Sequence, residues 1–267
     1  MIPFVKAHAC GNDFLILEEA LARRQHVELA RKLCSRNTSV GADGIEFLER
    51  RPDGEFFLRL FNADGSEAEL SGNGTRCVAA WLASSEGIKE VVLGTHGGPR
   101  KCRVIEDSDP FYLIESEMGV PRVMLRLIEL PGVGTVSGAM VNVGNPHFVI
   151  FVDSNDFGAH GFTWQALGGL ISVSPLFPHG TNVEFVKVLS ESEIEFRIFE
   201  RGCGPTTSSG TGTCASSAAA MALRGVNREL KAVAEGGAQQ TVWLANDEVM
   251  RLTGPAEIIC RGEVAAL

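Results

Sequence analysis

With 267 residues, 45% of them hydrophobic, the chain can build one large core or two ordinary ones. A formal charge of −9 argues against nucleic acid or an anionic membrane as the main partner, and no apolar run approaches the roughly 20 residues that span a bilayer. The seven scattered cysteines include no C-x-x-C pair, and Met1-Ile2-Pro3-Phe4-Val5-Lys6 lacks the apolar stretch of a signal peptide. A disulfide framework or metal site is therefore not expected, and buried thiols in a soluble cytoplasmic protein are.

The chain opens as a strand over Phe4 to His8, turns at Gly11-Asn12-Asp13 and resumes as a strand over Phe14 to Leu17. Glu18 to Arg36 has helical periodicity (Leu21, Val27, Leu29, Ala30, Leu33), and Asn37 to Gly44 reads as a polar loop. Strands over Ile45 to Leu48 and Phe56 to Phe61 flank the turn Arg51-Pro52-Asp53-Gly54. A helix over 73–84 is followed by short strands near 89–93, 101–106 and 110–116. Met118-Gly119-Val120-Pro121 then punctuates the chain as a linker. Strands near 139–143 and 148–152 bracket Gly144-Asn145-Pro146, which echoes Gly11-Asn12-Asp13 because both precede a Phe-led strand. A helix near 163–171, strands at 182–188 and 193–199, a helix over 210–224 and a closing run of strands complete the chain. The expected class is α+β, with two similar halves, each with strands wrapped about one central helix.

One phrase occurs twice: Ser71-Gly72-Asn73-Gly74-Thr75 and Ser209-Gly210-Thr211-Gly212-Thr213, 138 residues apart. At the same offset Arg59, Leu60 and Phe61 map onto Arg197, Ile198 and Phe199. A helix that starts after a Gly-x-Gly turn leaves its first N–H groups unpaired at the positive end of its dipole, where a carboxylate can bind without a basic side chain. A purely structural cap by serine is the plainer reading of each copy alone; the repetition favours paired half-sites. Asn62 and Arg201 end the matched strands, and Arg201 has the fork that suits a carboxylate. On the residues alone, Asn62 equally fits a turn position in Asn62-Ala63-Asp64-Gly65, and Arg201 an ion pair with Glu200. His147 follows Gly144-Asn145-Pro146, and Asn182 follows Gly180-Thr181 at a strand start; each fits a site or a structural role. No nucleotide-binding glycine motif is present.

Six collinear motifs, G-N-D-F (11–14), F-N-A-D-G-S-E (61–67), G-N-G-x-R-C (72–77), N-V-G-N-P-H (142–147), G-T-N-V (180–183) and E-R-G-x-G-x-T (200–206), resemble the diaminopimelate epimerase family over essentially the whole chain. The resemblance implies a pyridoxal-phosphate-independent isomerase of lysine and cell-wall biosynthesis. It would be a homodimer without cofactor or metal, interconverting LL- and meso-diaminopimelate by two-base proton transfer at Cα. It implies pseudo-symmetric halves over 1–117 and 118–257, each a barrel-like, mostly antiparallel sheet around a central helix, with the substrate in the cleft, and a last segment, 258–267, that returns to the first half. In the family two cysteines supply the acid and base; their positions here are Ser71 and Ser209, with His147 and Glu200 matching the polar residues beside them. Asn12, Asn62, Asn145, Asn182 and Arg201 match the residues that hold the distal amino-acid group, and Gly72, Asn73, Gly210 and Thr211 the helix-start amides that hold the reacting carboxylate. A serine hydroxyl needs an adjacent base that a thiol does not, so impaired turnover is expected. Three readings stay open: an epimerase with its cysteines exchanged, a natural paralogue acting on another amino acid as racemase or dehydratase, and a non-catalytic amino-acid-binding protein.

Overall fold

The computed structural model describes residues 1–22, 24–245 and 248–265. The backbone runs β1 (Ile2–Ala9), β2 (Asn12–Glu18), α1 (Glu19–Ala22), α2 (His26–Leu33), β3 (Gly44–Arg50), β4 (Phe56–Asn62), β5 (Glu67–Ala68), α3 (Gly72–Glu86), β6 (Glu90–Gly94), β7 (Arg100–Ser108) and β8 (Phe111–Gly119). It continues through β9 (Arg122–Leu130), β10 (Gly134–Asn142), β11 (Pro146–Phe151), α4 (Trp164–Ser172), β12 (Asn182–Ser190), β13 (Glu193–Glu200), β14 (Gly204–Thr206), α5 (Gly210–Leu223), β15 (Glu229–Ala234), β16 (Gly237–Trp243) and β17 (Met250–Val264). Two compact units result: Met1–Glu117 together with the chain from Thr253, and Met118–Leu252.

In the first unit β1 pairs antiparallel with β2, β2 parallel with β3, β3 antiparallel with β4 and β4 parallel with β6; β6, β7 and β8 follow antiparallel. Both β8 and β1 pair with β17, which closes the sheet into a barrel and removes the open edges that isolated strands would expose. The second unit repeats the pattern of directions: β9–β10 and β10–β11 antiparallel, β11–β12 parallel, β12–β13 antiparallel, β13–β15 parallel, β15–β16 antiparallel. The fold is α+β, and the sequence repeat is a repeat of strand order and sense.

Each barrel is filled by its Gly-started helix. Residues on every side of α3, including Cys77, Val78, Ala80 and Leu82, are fully buried, as are Cys214, Ala215, Ala218, Ala219 and Ala220 of α5. A helix buried all round needs no amphipathic stripe, and its small residues let the surrounding strands close in. Around α3 pack Val5, Phe14, Ile16, Leu48, Leu58 and Ile114; around α5, Val141, Val149, Val186, Phe196 and Leu230. A second apolar layer covers the outer face of β2 and β3, where Leu15, Leu17, Ile45 and Phe47 meet Leu29 and Leu33 of α2. In the second unit Phe148, Val183 and Phe185 meet Trp164, Leu167 and Ile171 of α4 in the same way.

Several expectations need correction. The helix expected over Glu18 to Arg36 is two short helices, because Arg24 takes a left-handed backbone conformation (φ 65°) that ends the first; Arg23 lies outside the described residues. Asn12 and Asp13 begin β2 rather than forming the turn, which is made by Cys10 and Gly11. The boundary between the units falls at the expected linker, between Glu117 and Met118, but β8 continues to Gly119 and leads directly into β9, a strand that was not expected. The chain joins the first unit again at Thr253, upstream of 258. Among the described residues no helix is long and apolar enough to cross a membrane.

Candidate functional site

In the first unit, Ser71 is the N-cap of α3: its backbone is extended and its hydroxyl accepts the Gly74 N–H at 3.0 Å. Such a cap is worth about 0.5–2 kcal/mol. Gly72 and Asn73 form the first turn, and Asn73 reaches across to the start of β2, its Nδ2 donating to Asn12 Oδ1 at 3.0 Å. Asn12 in turn donates to Asp43 Oδ2 at 2.8 Å. Asp13, beside it, is gripped by Arg36 at 2.7 Å and Lys6 at 3.1 Å. Burial opposes the Asp13 charge, yet the hydrogen bonds and charges of those two cations leave its pKa below the ordinary value. Asn62 pairs with Gly44 beside this group, where the Ala63 N–H donates to the Asp43 carbonyl at 3.0 Å; its own side chain donates to Ser66 at 3.0 Å, and its backbone closes the same turn.

The second unit holds the more enclosed arrangement. Ser209 caps α5 by accepting the Gly212 N–H at 3.2 Å, and its hydroxyl lies 3.5 Å from that of Thr211; Gly210 and Thr211 are the buried first turn. Asn145 Nδ2 donates to Thr211 at 3.3 Å, and Asn145 Oδ1 lies 2.9 Å from His147 Nε2. Glu200, at the end of β13, accepts from Thr206 at 2.5 Å. Burial raises its pKa, opposed by Thr206, by the nearby Ser209 hydroxyl and by His147. Asn182 begins β12 and accepts the Arg201 backbone N–H at 2.8 Å, while the Arg201 guanidinium donates to the His179 carbonyl at 3.0 Å. The structure thus gathers Asn145, His147, Ser209, Thr211 and Glu200, and separately Asn182 with Arg201.

Two functional candidates escaped the sequence reading. Glu46 and Glu184 are each buried beneath a Gly-x-Gly turn, on the inner face of β3 and β12. A Cβ on Gly74 would lie 1.8 Å from Glu46 Oε1, and one on Gly212 3.2 Å from Glu184 Oε1, so glycine is what lets helix and carboxyl meet. The signal was available, since Glu184 follows Glu46 by the same 138 residues, within Gly44-Ile45-Glu46-Phe47-Leu48 and Asn182-Val183-Glu184-Phe185-Val186. Their surroundings differ. Glu184 meets His147 Nδ1 at 2.6 Å with both side chains wholly buried. Glu46 Oε1 has no hydrogen-bond partner, and burial pushes that carboxyl up to about 8. Removing one member of a buried pair strands the other, so His147→Ala is expected to destabilise the protein by about 3–5 kcal/mol. Urea unfolding would show a lowered midpoint at unchanged m; an unmoved midpoint would mean the pair carries no weight.

None of the seven cysteines holds either helix N-cap, and of the seven only Cys203 and Cys260 are exposed. Cys77, in α3, faces the core, and burial drives its thiol far above the ordinary range. Cys10, Cys34, Cys102 and Cys214 are also buried, while Cys203 lies exposed in the turn after β13.

Comparison with known proteins agrees with the doubled architecture. Residues 4–124 and 139–259 each match the sequence model described as Diaminopimelate epimerase. The chain is 35% identical to the diaminopimelate epimerase of Carboxydothermus hydrogenoformans over 97% of its length and 98% of that protein. It is also 35% identical to that of Pelotomaculum thermopropionicum over 97% and 98%. In fold it resembles a probable proline racemase from Agrobacterium radiobacter (TM-score 0.74, 19% identity, 99% and 93% coverage). A Bacillus anthracis phenazine biosynthesis protein of the PhzF family is similar to it in fold too (TM-score 0.73, 14% identity, 99% of both chains). The duplicated helix-in-barrel units and these relationships lead to one statement: the chain belongs to the diaminopimelate epimerase family.

Proposed function

We propose that this protein binds diaminopimelate or a close relative and moves a proton at its Cα, between the LL and meso forms, slowly and without a cofactor. The observation that carries this reading is the pair of capped helix starts. Ser71 and Ser209 hold equivalent N-cap positions, each followed by a buried first turn, and the family motifs give these positions to the acid and base. A thiol ionises near pH 8.5 and a helix N-terminus lowers that further, whereas a serine hydroxyl needs a neighbouring base. Glu200 is the candidate base beside Ser209; its raised pKa suits a group that takes up and returns a proton. Asn12, Asn73, Asn145, Asn182 and Arg201 supply donors and acceptors for an amino acid's carboxylate and ammonium groups. The same reading carries a homodimeric cytoplasmic enzyme with Ser71 and Ser209 at the two acid–base positions.

Deuterium wash-in at Cα from heavy water, with LL- and meso-diaminopimelate tested separately, checks it. The expected result is calorimetric binding with slow exchange. Rapid exchange with both isomers would refute the slow turnover; binding with no exchange at all would make the protein a binder only. Absence of any binding heat would remove diaminopimelate as the ligand and favour a paralogue acting on another amino acid.

A further inference from the structure

The hydrogen bonds around Asn12 run in one direction, and charged groups fix that direction at both ends. Asp43 Oδ2 accepts from Asn12 Nδ2 at 2.8 Å and from the Asp13 backbone N–H at 3.1 Å, while its Oδ1 takes Arg36 Nη2 at 2.7 Å. A carboxylate paired with a guanidinium only accepts, so Asn12 must turn its NH2 toward it. At the far end Arg76 Nη2 donates to Asn73 Oδ1 at 2.6 Å, and a guanidinium only donates. One arrangement is left for the middle link: Asn73 Nδ2 donates to Asn12 Oδ1, at 3.0 Å. Two ions therefore dictate amide orientations that are otherwise a matter of assignment.

The geometry has a consequence for selectivity. Asn73 is buried and Asn12 half-buried, so Asn12 is the amide able to meet a ligand. One of its N–H groups is held by Asp43 and its oxygen already accepts from Asn73; the second N–H is the uncommitted group. We propose that Asp43 is a positioning residue that, through Asn12, makes this edge of the Ser71 half-site a hydrogen-bond donor and so selects a carboxylate over a carboxamide there. The bond chain stands on its own; the identity of the ligand rests on the function proposed above. In the second unit Thr181 and Cys214 occupy the positions that match Asp43 and Arg76 at the 138-residue offset.

The test has two arms. In ligand-free protein labelled with 15N, Asp43→Asn is expected to move the side-chain amide signals of both Asn12 and Asn73, while that of Asn62, bonded to Ser66, stays. Unmoved Asn12 and Asn73 signals would overturn the proposal. In the second arm, calorimetry compares diaminopimelate with its monocarboxamide. Asp43→Asn is expected to cut the preference for the carboxylate about tenfold, the value of one hydrogen bond to a charged group. The exchanged pair, Asn12→Asp with Asp43→Asn, keeps an acceptor for Asn73, so the fold is expected to survive and the preference to vanish. An affinity loss with an unchanged preference would make Asp43 a mere brace and refute the selectivity claim. If the unsubstituted protein binds neither compound, the diaminopimelate reading fails, and the amide signals alone decide whether Asp43 sets the orientation of Asn12.

Discussion

Ser71→Cys combined with Ser209→Cys is expected to raise Cα proton exchange on diaminopimelate by about 10²–10⁴-fold, the usual contribution of positioned acid–base groups. Both side chains already sit at N-caps, where the helix dipole and unpaired N–H groups stabilise a thiolate. The hydroxyls now accept from Gly74 and Gly212 at 3.0 and 3.2 Å, and the larger sulfur accepts more weakly. The double variant should therefore lose up to about 2 kcal/mol of stability as it gains rate. Epimerisation needs a proton removed and another delivered, so each single variant should recover only a small part of the gain. Wash-in rates for the two single variants and the double variant test this directly. A folded double variant with no gain would point to a different reaction.

The second large effect concerns stability and pH. Glu46 is wholly buried without a partner for Oε1, and its pKa rises from 4.5 to about 8 on folding. Below about pH 4.5 the carboxyl is protonated in folded and unfolded chains alike, and its stabilising contribution is fully present. Between 4.5 and 8 the folded state holds a proton that the unfolded state has released, so stability falls as pH rises through this window and levels off above it. A shift of this size corresponds to roughly 5 kcal/mol across the window. Glu46→Gln removes the titration while keeping the shape. Urea unfolding at pH 5, 7 and 9 should show the unsubstituted protein losing several kcal/mol relative to Glu46→Gln; parallel pH dependence in the two would refute the assignment.

What could be read in the sequence depended on whether a residue's neighbours revealed its surroundings. The S-G-x-G-T copies were legible because Ser and Gly at a helix start have few other uses, and the strand residues Arg59 to Phe61 recur with them. Glu46 and Glu184 went unread although they recur at the same offset. A charge within an apolar strand is ordinarily taken to face water, but β3 and β12 are covered on both faces. Ile45 and Phe47 pack outward against α2, leaving Glu46 and Leu48 to face α3. The break at Arg24 carried no glycine or proline to announce it. The strand β9 was missed because Met124, Leu125 and Leu127 are exposed, so burial does not alternate along it. At Asn62 the turn-forming alternative describes the bonds it makes to Ser66.

The barrel of the first unit is closed by β17, whose pairing residues with β1 run to Val264. Everything between Met118 and Leu252 belongs to the other unit and must be synthesised first. During translation β1 and β8 therefore stay unpaired on one side, as sticky edges, until the whole second unit has been made. The half that leaves the ribosome first is the last to be sealed.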